Sequence, residues 1–76
     1  MEEKIKKILS ETFKVPILEI DNNFSTHSVK NWDSLNHMKL ILSIEKEFLI
    51  KLNENEIETM INFNIIKKTI AVHIDK

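Results

Sequence analysis

A chain of 76 residues without a single glycine lacks the residue that most readily supplies left-handed backbone for tight turns. Two-residue hairpins lean on Asn-Gly or Asp-Gly pairs, so a sheet of short strands is disfavoured and helices become the expected elements. The same absence excludes the glycine-rich loops that cradle nucleotide phosphates and the G-x-S-x-G turn of serine hydrolases. Cysteine is absent too, which removes disulfides and thiolate zinc sites as sources of stability. The histidines at 27, 37 and 73 share no close ligand spacing, and no metal site is expected. At a length near the lower limit for an independent core, stability has to come from apolar side chains. Isoleucine and leucine are abundant, and Trp32, Phe13, Phe24, Phe48 and Phe63 add bulk.

Hydrophobic periodicity then places the helices. Ile5, Ile8, Leu9 and Phe13 form one stripe and predict an amphipathic helix over residues 2–14, with Glu2 and Glu3 in its first turn and Lys14 in its last. Pro16 ends it. Residues 15–31 read as a long connection, with turn-forming clusters at 21–23 and 25–28 and one short helical turn expected near 16–20. Scattered through it, Val15, Ile17, Leu18, Ile20, Phe24 and Val29 are expected to cover one end of a bundle. A second helix is predicted from about Asp33 to Phe48, with Met38 in the core. Its apolar arc is too broad for core packing alone, and Leu35 and Leu42, seven residues apart, are expected to form an exposed contact strip. After an extended connector at 48–52, Asn53 caps a short third helix and Asn62 caps a fourth, whose stripe is Phe63, Ile66, Ile70 and Ile74 with Lys67 and Lys68 outside. The expected fold is all-α: a small four-helix bundle of three long helices and one short one, with a long loop between the first two.

Asp33-Ser34-Leu35 is the stretch with chemical promise. Aspartate before a helix accepts its unpaired first N–H groups, and the partial positive charge of a helix start suits an attached phosphate. Ser34 is therefore an expected exposed hydroxyl on a rigid element. His37 lies within one turn of it but is expected to be a solvated surface residue, because no third group is visible to orient it. Three readings are open on the residues alone: an attachment point, a small helical interaction module in which Ser34 is only a cap or a phosphorylation site, and, least favoured, a minimal enzyme using Ser34 and His37.

Asp33-Ser34-Leu35 opening a helix, followed by Glu45-Lys46-Glu47-Phe48 and Ile50-Lys51-Leu52, resembles the acyl carrier proteins over nearly the whole chain. Val15-Pro16, Phe24 and Asn62-Phe63 also fall where that family has equivalents. The resemblance implies that Ser34 receives 4′-phosphopantetheine from coenzyme A by the action of a phosphopantetheinyl transferase, with Asp33 supporting the modification. It implies a carrier without catalytic activity of its own, which holds acyl or aminoacyl groups as thioesters for acyl-loading and acyl-using enzymes. Leu35, Asn36, Lys39, Leu42 and Glu45 are the expected partner contacts. The apolar arc of Met38, Leu40, Ile41 and Ile44 is a candidate lining for a cleft that shelters an acyl chain.

The chain departs from the family's strongly acidic pattern. Residues 33–58 hold six acids against three lysines, residues 1–15 four lysines against three acids, and the whole is −1. Trp32 stands where a glycine is common. Both departures point to a specialised carrier rather than the bulk fatty-acid one, in polyketide, lipopeptide, surface-polysaccharide or D-alanyl transfer. No broad basic face for nucleic acid is indicated. Met1-Glu2-Glu3-Lys4 lacks the basic region and apolar core of a signal peptide, and no apolar run approaches the ~20 residues of a membrane span. A cytoplasmic monomer, one domain over residues 1–76, is expected.

Overall fold

The computed structural model of the protein describes residues 1–74 and builds them from four α-helices and one 3-10 turn. The helices are α1 (Glu2–Phe13), α2 (Ser34–Phe48), α3 (Glu54–Thr59) and α4 (Phe63–Ile74), and the 3-10 turn covers Ile17–Glu19. This is the predicted all-α bundle, and no strand occurs among the described residues.

α1 stops one residue earlier than its periodicity suggests. Val15 precedes Pro16 and is pushed out of helical geometry. Lys14 accommodates the turn by going left-handed (φ 59°, ψ 45°), its N–H returning to the Ser10 carbonyl, so it is a cap and not a residue of the last turn. Leu49 ends α2 in the same way (φ 55°, ψ 47°), bonded to the Glu45 carbonyl. Glycine usually fills such positions. Without it, each cap costs about 1–2 kcal/mol of backbone strain.

One core closes the bundle. Ile5, Leu9 and Phe13 of α1 meet Leu40, Ile41 and Ile44 of α2 and Phe63, Ile66 and Ile70 of α4. Ile20 and Phe24 of the long connection join them, as expected of a segment covering a bundle end, whereas Leu18 is 97% exposed. The connection is stapled to the α3–α4 turn by two backbone bonds, Phe63 N–H to Phe24 O (2.9 Å) and Thr26 N–H to Ile61 O (3.0 Å).

α3 is different in kind, because none of its residues is fully buried. Asn53 caps it through a reciprocal box with Glu56, each side chain accepting the other's backbone N–H at 2.8 and 3.0 Å. Beyond that local device it is tethered by His73, whose Nε2 lies 2.7 Å from a Glu56 carboxylate oxygen, and by the burial of Leu52 before it and Met60 after it.

α4 corrects two expectations. Asn62 caps it by accepting the Ile65 N–H at 2.8 Å, but Ile74, the last member of its predicted stripe, is exposed. Lys67, expected outside, lies over the Phe63 ring (4.6 Å to its centroid) and donates to Glu2 and Asn22 at 2.9 Å each. A lysine stem covers apolar surface while its head stays polar, and here the head bridges three elements. The Lys67 ammonium holds the Glu2 carboxyl below its ordinary value. A lowered acid stabilises the fold above its ordinary value and loses that effect as pH falls through the lowered one. Glu2 is exposed, so solvent screening keeps the contribution small.

Candidate functional site

The loop meets α2 at Trp32. Its ring stacks on Phe13 with centroids 4.4 Å apart and lies 5.9 Å from Phe24. Asn31 ties the same corner to α1 by donating to the Phe13 carbonyl at 3.3 Å, and its own carbonyl accepts the Asn36 side-chain amide at 2.7 Å. The backbone on the N-terminal side of Ser34 is thereby fixed to two helices.

Asp33 follows in extended geometry and caps α2, its Oδ1 accepting the Asn36 N–H at 2.8 Å. Its carbonyl takes the His37 N–H at 2.8 Å. Asp33→Ala is expected to cost about 1 kcal/mol and Asp33→Asn, which keeps an acceptor, much less. Urea midpoints of the two variants check this.

Ser34 is the first residue of α2 and is exposed, and its Oγ makes no hydrogen bond with the described residues. The Asp33 cap leaves the N–H groups of Ser34 and Leu35 unused by it. His37, within one turn of Ser34, is not poised as a base for it, because both of its ring nitrogens are committed elsewhere. Trp32 donates to its Nδ1 at 2.9 Å, and its Nε2 lies 2.7 Å from the Ile57 carbonyl. His37 is thus half-buried and oriented at both ends, which corrects its reading as a solvated residue.

Leu35 and Leu42, 66% and 60% exposed, form the predicted strip on α2, with exposed Lys39 between them and Lys46 one turn further on. A groove of about 790 Å³ between α1 and α2 reaches Leu42 but not Leu35, and is bordered by Lys14, Lys39 and Lys46 with Glu11 and Glu47. Asn36 and Glu45 differ from the other three contact candidates. The Asn36 amide holds the loop, and a Glu45 carboxylate oxygen accepts the Leu52 N–H at 2.8 Å, so both side chains serve the fold.

The expected apolar cleft is redrawn. Leu40, Ile41 and Ile44 are sealed in the core, while Met38, expected there, is 44% exposed. A smaller cleft of about 400 Å³ lies between α2 and α3 instead, lined by Trp32, Ser34, His37, Met38, Ile57 and Ile61. The broad arc of α2 reads equally well with Met38 inside or outside, and only the partner helices select.

The site is thus an exposed hydroxyl on the first residue of a capped helix in a small helical bundle, and among the described residues its Oγ has no hydrogen-bond partner. No family model matches the chain. Curated relatives do. The chain is 36% identical over 70 residues to the acyl carrier protein of Buchnera aphidicola subsp. Schizaphis graminum, covering 92% of this chain and 85% of that protein. It is 35% identical over 72 residues to the acyl carrier protein of Buchnera aphidicola subsp. Baizongia pistaciae, covering 90% of this chain and 92% of that one. The chain belongs to the acyl carrier protein family. Its role is that of an acyl carrier without catalytic activity of its own, and the family name implies a phosphopantetheine group. Among the described residues no helix is long and apolar enough to cross a membrane.

Proposed function

We propose that Ser34 is the attachment point of a 4′-phosphopantetheine arm and that the protein carries acyl or aminoacyl groups on it between partner enzymes. The observation that carries this reading is the Ser34 hydroxyl, exposed and without a partner among the described residues, on the first residue of a capped helix. In the modification, the Ser34 oxygen forms the bond to phosphorus, loses its proton, and the nucleotide half of coenzyme A leaves. The base and magnesium belong to a phosphopantetheinyl transferase. This chain contributes a fixed nucleophile, the adjacent Asp33 and unused first-turn N–H groups that favour a phosphodiester. The arm, when bound, supplies a thiol for thioester formation.

Leu35, Lys39 and Leu42 are the contacts that partner enzymes would read, with Asn36 and Glu45 acting on their backbone surroundings. Charge at such a surface tunes encounter and choice of partner more than affinity. Three lysines bordering the groove support a specialised pathway, in polyketide or related biosynthesis, over bulk fatty-acid synthesis. The working form is a single-domain monomer in the cytoplasm.

Incubation with coenzyme A, magnesium and a broad-specificity phosphopantetheinyl transferase is expected to add one phosphopantetheine to the intact mass. An unchanged mass in a correctly folded sample would favour the interaction module instead. In the same assay Lys39→Glu and Leu42→Ala are expected to change the loading rate about tenfold. Wild-type rates for both would remove the strip from the contact set of that enzyme.

A further inference from the structure

We infer that His37 is a positioning residue that latches α3 across the cleft beside Ser34, and that the latch closes only with a neutral imidazole ring. An indole N–H can only donate and a backbone carbonyl can only accept. With Trp32 Nε1 at 2.9 Å from Nδ1 and the Ile57 carbonyl at 2.7 Å from Nε2, Nδ1 has to accept and Nε2 has to carry the proton. The other neutral tautomer sets N–H against N–H at one end and lone pair against lone pair at the other. The imidazolium keeps the bond to Ile57 but turns a proton onto the indole N–H. One protonation state out of three satisfies both partners.

The carbonyl served by His37 is one that α3 itself leaves open. Ile57 lies in the last turn of α3, where carbonyls lack intrahelical partners. The amide four residues on, Ile61 N–H, bonds the Thr59 carbonyl at 2.8 Å instead. α3 has six residues and no fully buried side chain, so its place depends on a few tethers. A second polar one among the described residues, His73 Nε2 against the Glu56 carboxylate at 2.7 Å, is satisfied by a neutral Nε2–H ring and by an imidazolium alike. A charged ring is therefore incompatible with the His37 tether and compatible with the His73 one. The charged groups sharing the cleft with His37 are the carboxylates of Asp33, from the cap of α2, and Glu58, from α3. Thr26, from the long connection, adds only a neutral hydroxyl.

The cleft wall formed by Ile57 and Ile61 moves with α3, so His37 sets the width of the apolar opening next to Ser34. The latch stands whether or not Ser34 is modified. Its consequence for access of a carried group rests on the carrier reading, and the test uses the unmodified full chain so that the two fail separately.

The experiment is a nitrogen-15 NMR titration from about pH 8 to about pH 5, across the ordinary histidine range, with amide exchange at each end. At the upper end the His37 ring is expected to show the Nε2–H tautomer and the Trp32 indole N–H to be protected. On acidification the indole signal and the amides of residues 57–61 are expected to move with the His37 ring. Exchange in α3 should rise about tenfold while α1 and α4 hold. His37→Gln is expected to exchange fast in α3 at both ends and to lose the pH response, with its helical circular dichroism intact. Trp32→Phe, which keeps a ring on Phe13 and removes the donor, is expected to weaken the response. An Nδ1–H tautomer, α3 amides that follow the His73 ring, or wild-type protection in His37→Gln would overturn the latch.

Discussion

Ser34→Ala is expected to give a protein with wild-type helical content and a urea midpoint at or slightly above that of the wild type, and to gain no phosphopantetheine at all. The two halves of this result have separate causes. The Ser34 side chain is exposed and bonds to none of the described residues, and alanine is the best helix former, so removing the hydroxyl costs the fold nothing and gains a few tenths of a kcal/mol. The modification depends on one oxygen as nucleophile, so its loss is complete rather than graded. Intact mass after transferase treatment, beside circular dichroism, reads both. Retained mass gain would move the attachment elsewhere and overturn the assignment of Ser34. Loss of the gain together with loss of helix would leave the fold half of the expectation wrong.

The second large effect is on stability. Phe13→Ala is expected to cost about 3–5 kcal/mol, the usual range for a buried phenylalanine. A domain of 76 residues has roughly 4–11 kcal/mol in all, so the variant stands near its unfolding limit, with a melting temperature lower by well over 10 °C. Phe13 is buried, stacks on Trp32 at 4.4 Å and lies 6.5 Å from Phe24. Its loss removes core volume and the platform that carries the loop ahead of Ser34. Trp32 is the sole tryptophan, so its emission reports that corner directly and should shift towards that of exposed indole before global unfolding. Phe13→Leu, nearer in volume, is expected to cost less than half as much. A cost under about 1 kcal/mol, or unchanged Trp32 emission, would show that the aromatic cluster does not support the loop.

Trp32 packs the corner ahead of Asp33 and Ser34 without touching their chemistry. Where a glycine would leave the corner before Asp33 bare, the indole fills it against Phe13 and directs a donor at His37. Asp33 and Ser34 keep the cap and the hydroxyl. The corner ahead of Ser34 and the His37 contact to α3 thereby become one packed unit.

The helices, their number and the side-chain N-caps of α2, α3 and α4 were legible in the chain because those signals are local, whereas the left-handed ends at Lys14 and Leu49 were not. The stripe of α1, Asp33 at the start of α2, Asn53 with Glu56, and Asn62 ahead of Phe63 each act within a few residues, and each forms the bond its position implies. Ser34 was legible for the same reason: a cap before it and a helix after it expose it whatever the rest of the bundle does. Tertiary structure alone decided the use of His37, Met38, Glu45 and Lys67. His37 is completed by a carbonyl 20 positions away, Lys67 by a carboxylate 65 positions away, and no local pattern encodes either. On α2 the apolar arc offers more faces than one core can bury, and contact with α1 and α4 seals Leu40, Ile41 and Ile44 while leaving Leu35, Met38 and Leu42 outside. A helix period states which residues share a face; which face is buried is settled by the helices packed against it.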